Sequence, residues 1–119
     1  MTRPKTIFCD IDGTLIKQYN EGISAQGTKF PDVLEGTIDK LNEWDRSGYS
    51  IILTTGRRES QRGITENHLS QLGIVYDKLI MGIGGGDRVL INDKKPNSDR
   101  DTAYSVNLIR NEGISNVKI

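Results

Sequence analysis

Polar side chains follow three of the apolar runs in this sequence, and their types suit work on a phosphate group. Carboxylates and amide oxygens bind magnesium, while hydroxyl and guanidinium groups bind phosphoryl oxygens. The sequence therefore predicts a site for a phosphate group and a cation. The residues at the three ends are Asp10 and Asp12, then Thr54, Thr55 and Arg57, then Asn92 and Asp93.

Asp10 and Asp12 form the most informative pair. Side chains two apart on an extended strand point to the same side, so these carboxylates are expected about 6–7 Å apart along one face. Two crowded negative charges are stabilised by a cation, and Mg²⁺ is commonly bound through one or two carboxylates plus substrate phosphate. A solvated Asp-x-Asp-Gly turn or a calcium loop is the alternative, and the polar residues at the other strand ends argue against it.

Apolar periodicity predicts the elements that position these groups. Strands are predicted at 6–11, 49–54, 74–76, 88–92 and 117–119, and helices at 31–47, 59–72 and from 103 to a stop at Gly113. Alternating strands and helices predict an α/β fold, a three-layer Rossmann-like parallel sheet with helices on both faces. Ligands in such sheets bind beyond the carboxyl ends of the strands. We expect one domain over 1–119, with a small flap at about 17–30 and no large cap domain.

Residues 10–15, with the sequence DIDGTL after an apolar run, resemble the first motif of the haloacid dehalogenase superfamily. The resemblance implies a magnesium-dependent phosphatase in which Asp10 attacks phosphorus and forms an aspartyl-phosphate. Asp12 then serves as general acid and later as general base. The chain most resembles the minimal-cap phosphatases of capsule and polysaccharide biosynthesis.

The other motifs of the superfamily occur in the expected order. Thr55 resembles the second motif, with Gly56 and Arg57 beside it as further phosphate- or substrate-binding residues. The fourth motif is an acidic pair in relatives, and Asn92 replaces its first acid here. The implied metal ligands are therefore Asp10, Asp12 and Asp93, with Asn92 offering a carbonyl oxygen.

The third motif, a basic residue that neutralises the phosphoryl group, has two candidates, Lys78 and Lys94. Capsule-type relatives carry Gly-Lys-Pro after a similar Tyr-Asp-x-Leu segment, whereas Gly82 begins a Gly-Ile-Gly here. The choice between the two lysines stays open. The glycine cluster at 84–86 is interpreted as a surface loop because it matches neither phosphate-loop pattern.

The amino-acid composition limits the classes of binding partner that this protein is expected to have. Acidic and basic residues balance at 16 each, which argues against nucleic acid and favours a small phosphorylated metabolite. A single cysteine and the lack of a long apolar stretch favour a cytoplasmic protein without membrane association. So little cap suggests that a neighbouring subunit covers the site, and we expect a homo-oligomer. A sugar phosphate is the leading substrate, with a nucleotide phosphatase or a non-catalytic phosphate- or metal-binding module as alternatives.

Overall fold

A computed structural model describes residues 3–18 and 32–119 of the chain. Most of the predicted flap at 17–30 lies outside the described residues. Within them, no helix combines the length and apolar character needed to cross a membrane. The elements in chain order are β1 (Thr6–Asp10), α1 (Thr37–Arg46), β2 (Ser50–Thr54), a 3-10 turn (Glu59–Gln61), α2 (Arg62–Leu72) and β3 (Lys78–Ile80).

The three strands form one parallel sheet in the order β1-β2-β3, which confirms the predicted α/β fold class. The register pairs Asp10 with Thr54 at the carboxyl ends of β1 and β2, and Thr54 with Ile80 at the end of β3. Chain segments that leave these strands therefore emerge at the same edge of the sheet. This edge is where the sequence predicted a ligand site.

The core forms between the sheet and the inward faces of the helices. Leu41 and Trp44 on α1 recur at helical spacing and are buried against β2, whose Ile51 and Leu53 are fully buried. Leu69 of α2 joins the same cluster. Burying large apolar side chains contributes roughly 1.5–3 kcal/mol each, so this cluster supplies much of the stability of the sheet.

Several element boundaries differ from the predictions. Helix α1 begins at Thr37, several residues after the predicted start. The predicted helix at 59–72 is the 3-10 turn followed by α2, which ends at Leu72 with Gly73 as its left-handed cap, as predicted. The third strand lies at Lys78–Ile80, whereas the prediction began it at 74–76. Asp77 explains the delay, because its backbone N–H donates to Ile51 O at 2.8 Å and its carboxylate accepts from Ile51 N at 2.7 Å. The chain joins the sheet only at this point.

The predicted strands at 88–92 and 117–119 and the predicted helix from 103 are wrong, because residues 81–119 contain neither helix nor strand. Val89 and Ile91 are 83% and 90% exposed. Asn92 instead donates from Nδ2 to Thr102 Oγ1 at 2.8 Å, and the Thr102 hydroxyl donates to the carbonyl of Asp93. These local side-chain bonds compete with a strand ladder and hold the segment in an irregular conformation.

Candidate active site

An open cleft of about 650 Å³ lies at the carboxyl ends of β1 and β2. The structure brings five of the predicted site residues together in it and adds others that the sequence reasoning missed. The predicted ones are Asp10, Asp12, Thr55, Gly56 and Arg57, and the added ones are Gln18, Arg58, Gln61, Gly85 and Arg88. The cleft therefore combines two carboxylates with three arginines.

Arg57 and Asp12 form a bidentate ion pair beneath the cleft. Arg57 Nε lies 2.8 Å from Asp12 Oδ2, and Nη2 lies 2.7 Å from Oδ1. The third guanidinium nitrogen, Nη1, donates to the buried Thr65 hydroxyl at 3.1 Å. The Arg57 side chain is only 2% exposed. The sequence suggested a phosphate contact for Arg57, whereas the structure shows its fork engaged with Asp12, which holds that carboxylate in one orientation.

Asp10 ends β1 and is open to the cleft. Its Oδ2 accepts a hydrogen bond of 3.3 Å from the Thr14 hydroxyl, which lies just after the turn at Gly13. Partial desolvation by the surrounding protein is the main cause that raises the pKa of the Asp10 carboxyl, and the charge of Asp12 adds to it. The Ile11 backbone N–H, Thr14 and Arg88 act in the opposite direction. Asp10 is thus an incompletely compensated carboxylate, which a bound cation would stabilise.

Thr55 follows β2 and is almost fully buried at the cleft floor. Its backbone N–H donates to Ile80 O at 3.0 Å, and its hydroxyl oxygen accepts from Arg57 N at 3.1 Å. A threonine hydroxyl also carries one donor hydrogen, which can be given to a ligand oxygen. Next to it, a side chain at Gly56 would press against Ile83 O at 3.1 Å, so glycine keeps this turn close to the β3 exit.

The basic groups at the cleft are arginines and not the predicted lysines. Lys78 starts β3, at the end of the strand away from the site edge, and Lys94 donates to Asp99 O at 3.0 Å in an exposed segment. Arg88 instead lines the cleft and acts electrostatically on Asp10. Its Nη1 donates to Gly84 O at 2.7 Å, so the glycine cluster that was interpreted as a plain surface loop holds this arginine. The available signal was the arginine that follows the glycine run and Asp87.

No protein-family model matches the sequence, and no curated protein sequence matches it either. Two solved structures of a Pnkp1/Rnl/Hen1 complex, one of them described as an RNA repair complex, are similar at TM-scores of 0.56 and 0.54. Their identities are 32% and 27%, over 66% and 82% of this chain. The chain spans only 27% and 28% of the length of those proteins.

The MCSG target from Vibrio cholerae shares the fold over more of its own length. Its TM-score is 0.51 at 20% identity, covering 74% of this chain and 79% of that one. The chain therefore has the α/β fold of that structure. Within this fold, the Asp-x-Asp-Gly-Thr loop follows β1 and Thr55 follows β2.

The predicted cation site is only partly assembled from the predicted ligands. Asp10 and Asp12 line the cleft, whereas Asn92 and Asp93 do not. Asp93 lies 3.8 Å from Lys95, and over 3–18 and 32–119 no three acidic, histidine or cysteine side chains gather as a metal cluster. Since both oxygens of Asp12 face Arg57, Asp10 is the carboxylate best placed to bind Mg²⁺ together with a substrate phosphate.

A second cavity of about 650 Å³ does not suit a phosphate. Its lining combines the carboxylates of Glu35 and Glu112 with amides, and contains no basic side chain among the described residues. An anion there would meet negative charge without compensation. The cleft at Asp10 is therefore the candidate active site.

Proposed function

We propose that this domain is a phosphomonoester hydrolase in which Asp10 attacks phosphorus. The observation that carries the proposal is the meeting of Asp10, the Asp12–Arg57 pair and Thr55 at one cleft of the sheet edge. The superfamily resemblance implies these roles for the same residues.

The proposed reaction runs in two displacements. An Asp10 oxygen bonds to phosphorus while the bond from phosphorus to the ester oxygen breaks, and Asp12 gives the leaving oxygen its proton. Asp12 then accepts a proton from water, whose oxygen attacks the aspartyl-phosphate, and the bond between phosphorus and Asp10 breaks to release phosphate. Arg57 holds Asp12 in one orientation when Asp12 is ionised, after it has given its proton and before it accepts one from water, because a bidentate pair fixes the plane of the carboxylate.

The remaining cleft residues bind and neutralise the phosphoryl group. Arg88 supplies positive charge next to Asp10, and Arg58 adds a second cation at the cleft lining. The Thr55 hydroxyl can donate to a phosphoryl oxygen. Mg²⁺, when bound at Asp10, would add charge neutralisation at the reacting oxygens.

The proposed substrate class is a small polar phosphate ester, and a sugar phosphate is the leading candidate. Gln18, Gln61 and Arg58 present hydrogen-bonding groups along the cleft, which suits a hydroxyl-bearing leaving group. A phosphate at the end of a nucleotide or polynucleotide is the second candidate. The similarity to chains of an RNA repair complex favours it, and the open cleft would admit a large ester.

We also propose that the domain forms a homo-oligomer. The exposed apolar side chains of Val89 and Ile91 support this, because apolar patches of this kind commonly mark protein contacts. Light scattering at micromolar concentration measures the mass directly. A monomeric mass would contradict the proposal.

The decisive experiment is a screen of phosphate release from sugar phosphates, nucleotides and an RNA with a terminal phosphate, with and without Mg²⁺. The wild type is compared with Asp10→Asn and with Asp45→Asn, a matched change on the exposed face of α1. We expect Asp10→Asn to lose at least about a thousandfold in kcat, as other removed nucleophiles do, and Asp45→Asn to keep wild-type rates. Equal activity in Asp10→Asn would overturn the mechanism.

A further inference from the structure

The side chain of Asn111 joins two distant parts of the chain beside the cleft. Asn111 Oδ1 accepts from the backbone N–H of Gln18 at 2.7 Å, and Asn111 Nδ2 donates to Gln18 O at 2.7 Å. The amide thus reproduces the paired hydrogen bonds that two facing strand residues exchange. The two residues are 93 positions apart in sequence, so this contact exists only in the folded chain.

The surrounding backbone is built to present that amide. Asn111 adopts a left-handed conformation with φ of 67°, which asparagine tolerates better than most residues. Its own N–H donates to Gly13 O at 2.8 Å, in the loop between the two predicted catalytic acids and the flap. Just beyond, Gly113 packs so closely on the Glu35 backbone that a side chain there would collide with it. The turn is therefore anchored on both sides of Asn111.

Gln18 is the residue through which this contact reaches the site. It lines the cleft together with Asp10, Arg58, Gln61 and Arg88. Immediately before it, Lys17 N donates to Asp32 O at 2.9 Å. Fixing both backbone groups of Gln18 fixes where its side-chain amide can lie over the cleft.

We propose that Asn111 is a positioning residue that holds Gln18 over the cleft, where the Gln18 amide selects a hydroxyl-bearing leaving group. The proposal rests on the proposed phosphatase function and deepens it by assigning leaving-group recognition. Asn111 touches no reacting atom. Its loss should therefore weaken the binding of a polar substrate and leave the chemical step almost unchanged.

Asn111→Gly tests the proposal cleanly. Glycine adopts the positive φ and retains the N–H that bonds to Gly13, so the substitution removes the side-chain pair without straining the turn. Asn97→Gly is the matched control, because Asn97 has φ of 62° in an exposed turn and does not line the cleft. Asn111→Asp keeps the acceptor for Gln18 N and replaces the donor to Gln18 O by a second acceptor, so it should disrupt half of the contact.

Two measurements decide the outcome. Hydrogen exchange of the Gln18 amide should accelerate at least about tenfold in Asn111→Gly and stay at the wild-type rate in Asn97→Gly. For a sugar phosphate, KM should rise about tenfold in Asn111→Gly with kcat within twofold, whereas an aryl phosphate should change less than twofold. Asn111→Asp should fall between the wild type and Asn111→Gly in both measurements.

Unchanged exchange at Gln18, or equal losses for both esters, would overturn the proposal. A fall in kcat for both esters with unchanged KM would also overturn it, since that result describes damage to the catalytic acids. If the wild type hydrolyses neither ester, the proposed function fails. In that case the exchange comparison, together with calorimetric binding of the sugar phosphate to the wild type and Asn111→Gly, still decides the role of Asn111.

Discussion

Residues 32–80 and residues 81–119 are similar in apolar patterning but very different in structure. The first stretch contains α1, β2, α2 and β3, with Leu53 and Leu69 fully buried. The second carries an apolar run at 89–91 that stays exposed and forms no strand. A strand is stabilised by neighbours on its edges and faces, so an apolar run without a paired neighbour remains irregular. The two regions nevertheless meet at the cleft, where Gly85 and Arg88 of the second line it together with Arg57 of the first.

The largest expected effect is a difference in the loss of unfolding free energy between a substitution in the first region and one in the second. Leu53→Ala removes a fully buried side chain from β2 and should lower the free energy of unfolding by roughly 3 kcal/mol. Ile91→Ala changes a side chain that is 90% exposed and should cost less than about 0.5 kcal/mol. Urea unfolding monitored by circular dichroism measures both. Similar losses for the two variants would show that residues 88–92 are packed in solution.

The buried ion pair should give the next largest effect. Arg57→Met leaves Asp12 and Thr65 without their partner and should cost roughly 2 kcal/mol, because an uncompensated carboxylate stays partly buried. Phosphate release should fall by at least about a hundredfold, since Asp12 loses its fixed orientation. Arg100→Met, in the exposed second region, is the matched control and should change neither quantity. If Arg57→Met kept its activity, the orientation of Asp12 by Arg57 would not contribute to catalysis.

Arg88 tests whether the second region serves the site of the first. Arg88→Ala should weaken substrate binding about tenfold, because it removes a cation beside Asp10, while the free energy of unfolding changes little for an exposed side chain. Lys94→Ala is the comparison, since Lys94 bonds within its own segment. Inhibition by inorganic phosphate measures the binding. A larger loss of phosphate binding in Lys94→Ala than in Arg88→Ala would support Lys94, one of the two lysines that the sequence suggested, as the phosphate-neutralising residue.

The smallest expected effect concerns the charge of Asp10. Its pKa is raised in the folded protein, mainly by desolvation, so folding binds extra protons and stability falls as pH rises through that pKa. Without metal, Asp10→Asn should therefore raise Tm by about 2–5 °C at pH 7, a small gain because the group is open to solvent. The gain should vanish below the ordinary pKa of aspartate. A lower Tm for Asp10→Asn at pH 7 would contradict the desolvation argument.

The sequence predicted the fold well where a pattern had a neighbour to pair with. Residues 6–11 and 49–54 became β1 and β2 nearly as predicted, and Gly73 capped α2. The run at 88–92 carried the same apolar signal and formed no strand. Periodicity reports which residues favour burial, whereas pairing depends on the sheet edge that the rest of the chain supplies.

By itself, the sequence determined that Asp10, Asp12 and Thr55 would meet, because they follow strands whose parallel register aligns their carboxyl ends. Only the tertiary structure decided which side chains serve that edge. Arg57 pairs with Asp12, and Arg88 lines the cleft where a lysine was expected. Asn111 bonds to Gln18, which lies 93 positions away in the sequence. Local patterns specify strands and turns, whereas contacts between distant side chains arise only when packing brings them together.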